Sequence, residues 1–163
     1  MIRDATEDDL PQIREIYAHH VMTGLASFEE IPPEVEEMRI RMRAVRDLGA
    51  PYLVEDRDGL VVGYCYATLY RTRSAYRHTL ENSVYVREGE GGKGIGEALL
   101  RALLARCARG PWKQVIAVIG DSANAASIAV HRKLGFRMVG TLEKVGFKFG
   151  RWVDSVLMQR EIG

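Results

Sequence analysis

The 163-residue sequence predicts a single α/β (α+β) domain, residues 1–163, built from about seven strands and about four helices. Segments of strand and helix periodicity alternate along the whole chain, with no repeat, linker or low-complexity tract. Hydrophobic residues make up 47% and charged residues 28%, the balance of a globular chain. A chain of this length buries roughly two thirds of its unfolded surface, so it needs no disulfide or metal staple.

Ile2-Arg3-Asp4-Ala5 reads as an opening strand. Thr6 then has the form of a helix N-cap with Asp9 three residues on, an acidic variant of the capping box. Leu10, Ile13, Ile16 and Tyr17 recur at helical spacing, which predicts a helix to about His20. Thr23 to Phe28 breaks that pattern, and Pro32-Pro33 precedes a second helix over about Val35–Leu48, acidic early and arginine-rich late as the helix dipole prefers. Tyr52–Glu55, Asp58-Gly59 and Leu60–Ala67 form a hairpin pattern whose Asp-Gly pair supplies the turn. A third strand, Thr79–Val86, enters a glycine-rich loop and a helix over about Ile95–Ala108. A strand over Gln114–Ile119 precedes a helix opening near Asn124 and closing at Gly135-Phe136, and the tail from Arg137 to Ile162 reads as two more strands.

The charge balance is 23 basic against 22 acidic residues, which argues against a dedicated nucleic-acid binder and its strongly basic face. No window approaches the roughly 18 uninterrupted apolar residues of a membrane span, and the acidic N-terminus lacks an apolar signal core. Cys65 and Cys107 sit in apolar stretches outside any ligand-spaced motif. They read as buried reduced thiols, so a cytoplasmic location and no metal are expected. His19, His20 and His78 have no partners at ligand spacing and read as surface or satisfied polar residues.

The chemistry concentrates in Arg87-Glu88-Gly89-Glu90-Gly91-Gly92-Lys93-Gly94-Ile95-Gly96. Glycines let a backbone approach an anion and aim successive N–H groups at it, and the following helix N-terminus adds a favourable dipole. Gly-Gly pairs alone fit a flexible surface turn as well; placement between strand and helix favours phosphate binding. A P-loop would need Ser or Thr after Lys93, where Gly94 stands. A dinucleotide loop would need a βαβ unit near the chain start, and this loop follows a meander instead.

Gly91 to Gly96, with Asn124-Ala125-Ala126-Ser127 through His131-Arg132-Lys133-Leu134-Gly135-Phe136, resembles the two signatures of the GCN5-related N-acetyltransferase (GNAT) superfamily. The match departs at its first slot, where Gly91 replaces an Arg or Gln. A narrower likeness covers nearly the whole chain. Ala26-Ser27-Phe28-Glu29, Tyr76 through Val86, Ile119-Gly120-Asp121-Ser122 and Gly146-Phe147-Lys148-Phe149-Gly150-Arg151-Trp152 are similar to the phosphinothricin acetyltransferase group, which includes methionine sulfoximine and methionine sulfone acetyltransferases.

The resemblance implies a mixed central sheet flanked by helices, and acetyl-CoA as cosubstrate. It implies Val84, Tyr85, Val86, Gly91, Gly92, Lys93, Gly94, Ile95, Gly96, Asn124 and Ser127 as the acetyl-CoA site, with amides near Val86 on the thioester oxygen. Glu81 alone reads more readily as a solvent-facing strand acid in an ion pair; the resemblance makes it the base that accepts the ammonium proton, directly or through water. His131 becomes an acid/base group for the departing thiolate, against the alternative of a partly buried polar helix residue. For the acceptor, Arg73 and Arg77 flank Tyr76 and could pair with a carboxylate, or be solvated loop charge, while Phe28 would form a wall. Phe147, Phe149 and Trp152 fit core or interface; the group is dimeric, which favours a homodimer interface. The expected acceptor is the α-amine of a small amino acid analogue. A protein N-terminal acetyltransferase and a non-catalytic CoA-binding sensor are the alternatives.

Overall fold

The computed structural model describes every residue, Met1–Gly163. Its strands are β1 (Ile2–Asp4), β2 (Tyr52–Arg57), β3 (Leu60–Leu69), β4 (Thr79–Val86), β5 (Gln114–Gly120), β6 (Arg137–Lys148) and β7 (Arg151–Glu161). Its helices are α1 (Leu10–Thr23), α2 (Val35–Leu48), α3 (Ile95–Cys107) and α4 (Ala125–Lys133). Short 3₁₀ turns span Glu7–Asp9 and Ser74–Tyr76. One seven-stranded sheet has the order β1-β2-β3-β4-β5-β7-β6, in which only the β4–β5 pair is parallel.

Local sequence explains most element ends. Asp58 and Gly59 both have positive φ, 53° and 90°, as the two-residue turn joining β2 to β3 demands. The Thr6 cap opens a 3₁₀ turn rather than α1 itself. Asp9 accepts the Thr6 N–H at 2.8 Å, and Arg3 grips the same carboxylate through two further bonds of 2.8 Å. Helix α1 runs one turn beyond His20, because Val21 is buried and Thr23 bonds back to the His19 carbonyl.

The sheet separates two helical layers. Tyr85 of β4 packs on Tyr17 of α1, so odd-numbered residues of β4 face α1 and α2. Asn82 of β4 reaches His131 of α4, and Val84 and Val86 approach Gly96 of α3, so even-numbered residues face the opposite layer. The core is one continuous cluster of 33 buried residues that includes Tyr52 and Tyr64, and the partly buried Tyr66 stacks on Tyr52 at its margin.

Candidate functional site

The site begins where a pairing stops. Strands β4 and β5 are joined from Thr79↔Gln114 to Asn82↔Ala117, then both continue unpaired with each other to Val86 and Gly120. The resulting wedge opens into a cleft of about 450 Å³. Its walls are Ser83–Val86, Val118–Gly120, the glycine loop, the start of α3, and Asn124, Ser127 and His131 around α4. Backbone groups alternate along β4. Arg87 donates to Val62 and Thr79 accepts from Tyr70, so odd-numbered residues bond β3. Even-numbered Val84 and Val86 therefore turn their peptide groups toward the wedge. His20 holds the Val86 carbonyl at 2.8 Å, which fixes the end of this free edge.

The loop from Gly89 to Gly94 is shaped by positive φ at Gly89, Gly92 and Gly94, 83°, 77° and 79°. Gly94 is the residue before α3, so the free amides of Ile95 and Gly96 point out of the helix start. Lys93 turns back onto Glu90 at 2.8 Å, and this cation holds the Glu90 carboxyl below its usual range. Lys93 does not line the cleft, whereas Gly91, Gly92, Gly94, Ile95 and Gly96 do.

Across the cleft, Asn124 caps α4 by accepting the Ser127 N–H at 3.2 Å. His131 is 5% exposed. Its Nδ1 lies 2.7 Å from the Ser127 carbonyl, a pure acceptor, so Nδ1 carries the hydrogen. Nε2 then accepts from Asn82 Nδ2 at 3.1 Å, and the buried Asn82 Oδ1 is left without a partner. Burial pushes the His131 pKa down, opposed by the Ser127 carbonyl. With both ring nitrogens engaged, donation to a leaving group requires Asn82 to give up Nε2.

Glu81 lies on the opposite face of β4 from Asn82 and makes no hydrogen bond or ion pair. It is half-buried; burial raises its pKa, and the charge of Arg71 opposes the rise. The arginine that acts on Glu81 is thus Arg71. Arg73, Tyr76 and Arg77 are exposed around the 3₁₀ turn and lie outside the cleft of the single chain, with Arg77 bonded to the Ser74 carbonyl and Tyr76 against Tyr70. Phe28 stands in the α1–α2 loop with its ring against Gly120, which lines the cleft, but Phe28 itself does not line it.

A ligand threaded through the wedge would meet backbone donors from Val84 and Val86, glycine-loop amides at one end and Glu81 on the far side. This is the equipment of acyl transfer: donors for an oxyanion, an anion cradle, and a carboxylate poised to take a proton. Asn82 and Arg71 are not singled out in the sequence, and His20, read there as a surface or satisfied polar residue, is the latter and also lines the cleft. His20 continues the Leu10–Ile13–Ile16–Tyr17 stripe, which marks it as inward-facing. Asn82 is polar on a β4 face otherwise made of Leu80, Val84 and Val86. Arg71 carried no comparable signal.

Known proteins resemble this chain in sequence and in fold. A family model for the acetyltransferase (GNAT) domain matches residues 2–157. A phosphinothricin N-acetyltransferase of Alcaligenes faecalis is 58% identical over 161 residues, 99% of this chain and 82% of that protein. An L-methionine sulfoximine/L-methionine sulfone acetyltransferase of Pseudomonas paraeruginosa is 42% identical over 159 residues, 97% of this chain and 92% of that one. The crystal structure of a GNAT superfamily phosphinothricin acetyltransferase from Sinorhizobium meliloti in complex with AcCoA superposes with a TM-score of 0.96 at 46% identity, covering 100% of this chain and 88% of that one.

Proposed function

The chain belongs to the GNAT acetyltransferase family, and from that premise we propose that it acetylates the α-amine of a small free amino acid of the phosphinothricin, methionine sulfoximine or methionine sulfone type. The observation that carries this reading is the wedge between β4 and β5, which puts an anion cradle on one face of the sheet and Glu81 on the other. Acetyl-CoA, when bound, supplies the acetyl thioester. The amides of Gly92, Gly94, Ile95 and Gly96 hold its pyrophosphate, with Asn124 and Ser127 beside the pantetheine arm. The Val84 and Val86 amides would orient the thioester oxygen and offer donors to the charge that develops on it.

Glu81 takes the proton of the ammonium group from the α1–α2 face. Its raised pKa suits it to that task, since a base works best when its pKa nears the working pH. His131, with Asn82 on its Nε2, governs protonation beside the leaving sulfur. Arg71, the arginine whose charge acts on Glu81, would meet the acceptor's carboxylate, with the exposed Arg73, Tyr76 and Arg77 further along the same β3–β4 segment and Phe28 as the wall for its side chain.

Two coarser features complete the reading. Strand β6 is a sheet edge with exposed Val139, Leu142, Val145 and Phe147, and Trp152 of β7 adds to the same apolar surface. Such a surface fits a homodimer interface better than a free edge. The buried free thiols Cys65 and Cys107 suit a reducing cytoplasm, and no helix is long and apolar enough to cross a membrane.

Thiol release from acetyl-CoA across a panel of free amino acids and peptides tests the proposal. Turnover with methionine sulfone or phosphinothricin but not with peptides is expected. Turnover confined to peptides would mark a protein N-terminal acetyltransferase, and tight CoA binding without turnover would mark a sensor.

A further inference from the structure

The phrase Gly146-Phe147-Lys148 at the end of β6 has no part in the chemistry above, yet two of its residues converge on the α1–α2 loop. Lys148 is 2% exposed. Its Nζ donates to the carbonyls of Gly24 at 2.9 Å and Ser27 at 2.7 Å, and lies 5.0 Å from the Phe149 ring centroid. No carboxylate forms an ion pair with it, so these two carbonyls are what compensate its removal from water. Gly146 serves the same loop by lacking a side chain. A Cβ there would stand 2.5 Å from Cε2 of Phe28, so only glycine leaves the ring its seat. On the other side, a Cβ on Gly120 would stand 2.1 Å from the Leu25 carbonyl and 3.0 Å from Phe28 Cε1.

The loop is fastened from the helical layer as well. The Tyr17 hydroxyl meets Ser27 Oγ at 2.7 Å, Ser27 Oγ accepts the Glu29 N–H at 3.1 Å, and Arg41 bonds the Glu29 carboxylate at 2.6 and 3.2 Å. Every neighbour of Phe28 in the chain is thus tied down, while Phe28 itself keeps 41% of its surface exposed next to Gly120. Fastening a loop at this many points, with a buried ammonium among them, makes sense if the ring it presents must not move.

We infer that Gly146 and Lys148 are specificity-determining positioning residues, which hold Phe28 as a fixed wall and so set which acceptor side chains fit. The inference rests on the proposal that a small amino acid binds beside Phe28.

Steady-state kinetics with two acceptors of different side-chain size, alanine and methionine sulfone, tests it in Gly146→Ala, Lys148→Met and Phe28→Ala. The first two variants should raise the acceptor KM about tenfold and shift the ratio of kcat/KM between acceptors about fivefold, since a misplacement of about 1 Å can cost up to about a hundredfold. The KM for acetyl-CoA should stay unchanged, and Lys148→Arg, which keeps the donors, should recover part of the loss. Amide hydrogen exchange over Ser27–Glu29 should rise in Lys148→Met, a readout independent of turnover. If Phe28→Ala alters the acceptor ratio while Gly146→Ala and Lys148→Met leave it constant, the inference falls and the acceptor reading stands. If no free amino acid is turned over by the unaltered enzyme, the acceptor reading falls and takes the specificity claim with it.

Discussion

Glu81 and Asn82 are neighbours in the chain that serve opposite faces of the sheet, Glu81 as a titrating carboxyl and Asn82 through its bond to the titrating His131. Glu81 is half-buried with only the charge of Arg71 to favour ionisation, so its pKa lies above the ordinary carboxylate range. As the proposed base it would work only when deprotonated, so kcat/KM should rise as pH climbs through that raised value and level off above it. Glu81→Gln should lose this limb and lower kcat/KM by about 10²- to 10⁴-fold near neutral pH; a retained limb would assign the base elsewhere. His131 titrates the other way, its pKa depressed by burial. Its stabilising effect is full above the ordinary histidine value of about 6.5 and is lost as pH falls through the folded value. Protonated His131 would donate from both nitrogens, so the Asn82 amide must turn over to present Oδ1. Asn82→Asp supplies that acceptor permanently as an anion, and should raise the His131 pKa in imidazole NMR titrations; an unmoved titration would break the Asn82–His131 pairing.

At the scale of elements, the loop into α3 shows which glycines are needed. Gly94 holds φ at 79° on the threshold of the helix, a conformation that costs an L-residue roughly 1–2 kcal/mol. Gly94→Ala should therefore lower thermal stability and weaken acetyl-CoA binding together. Gly91 lacks a positive φ, and a Cβ there meets nothing within 4 Å. Gly91→Arg should fold normally and lower the KM for acetyl-CoA several-fold by adding a cation beside the phosphate cradle, most visibly at low salt. A raised KM would show that the loop is closed to side chains. The sequence made this loop, α2, β4 and the β2–β3 hairpin legible, because each is dictated by residues adjacent in the chain. The wedge was not legible, since it arises from the end of pairing between strands some 30 residues apart. For the same reason the Lys148 clasp on Ser27, across 121 positions, left no local pattern to read.

For the whole molecule, the sheet is the partition on which function depends. One layer, α3 and α4, lies beside the glycine loop; the other, α1 and α2, carries the Phe28 loop; the wedge is the proposed passage between them. The exposed Phe147 and Trp152 at the edge of the sheet carry the proposed dimer contact, on the same end of β6 from which Gly146 and Lys148 reach the Phe28 loop. Trp152→Glu and Phe147→Glu should shift the species seen in sedimentation from twice the 18.3 kDa chain mass to that mass itself. A single chain mass for the unaltered protein would remove the dimer from the account.

The passage itself is tested most directly by a crystal structure with CoA and methionine sulfone bound together. The CoA sulfur should lie between Ser83–Val86 and Val118–Gly120, with its pyrophosphate on the Gly91–Gly96 amides. The acceptor nitrogen should approach from the opposite face, within about 3 Å of Glu81 or one water away. An acceptor nitrogen on the His131 side of β4, or a pantetheine arm that bypasses the wedge, would contradict the mechanism at its centre.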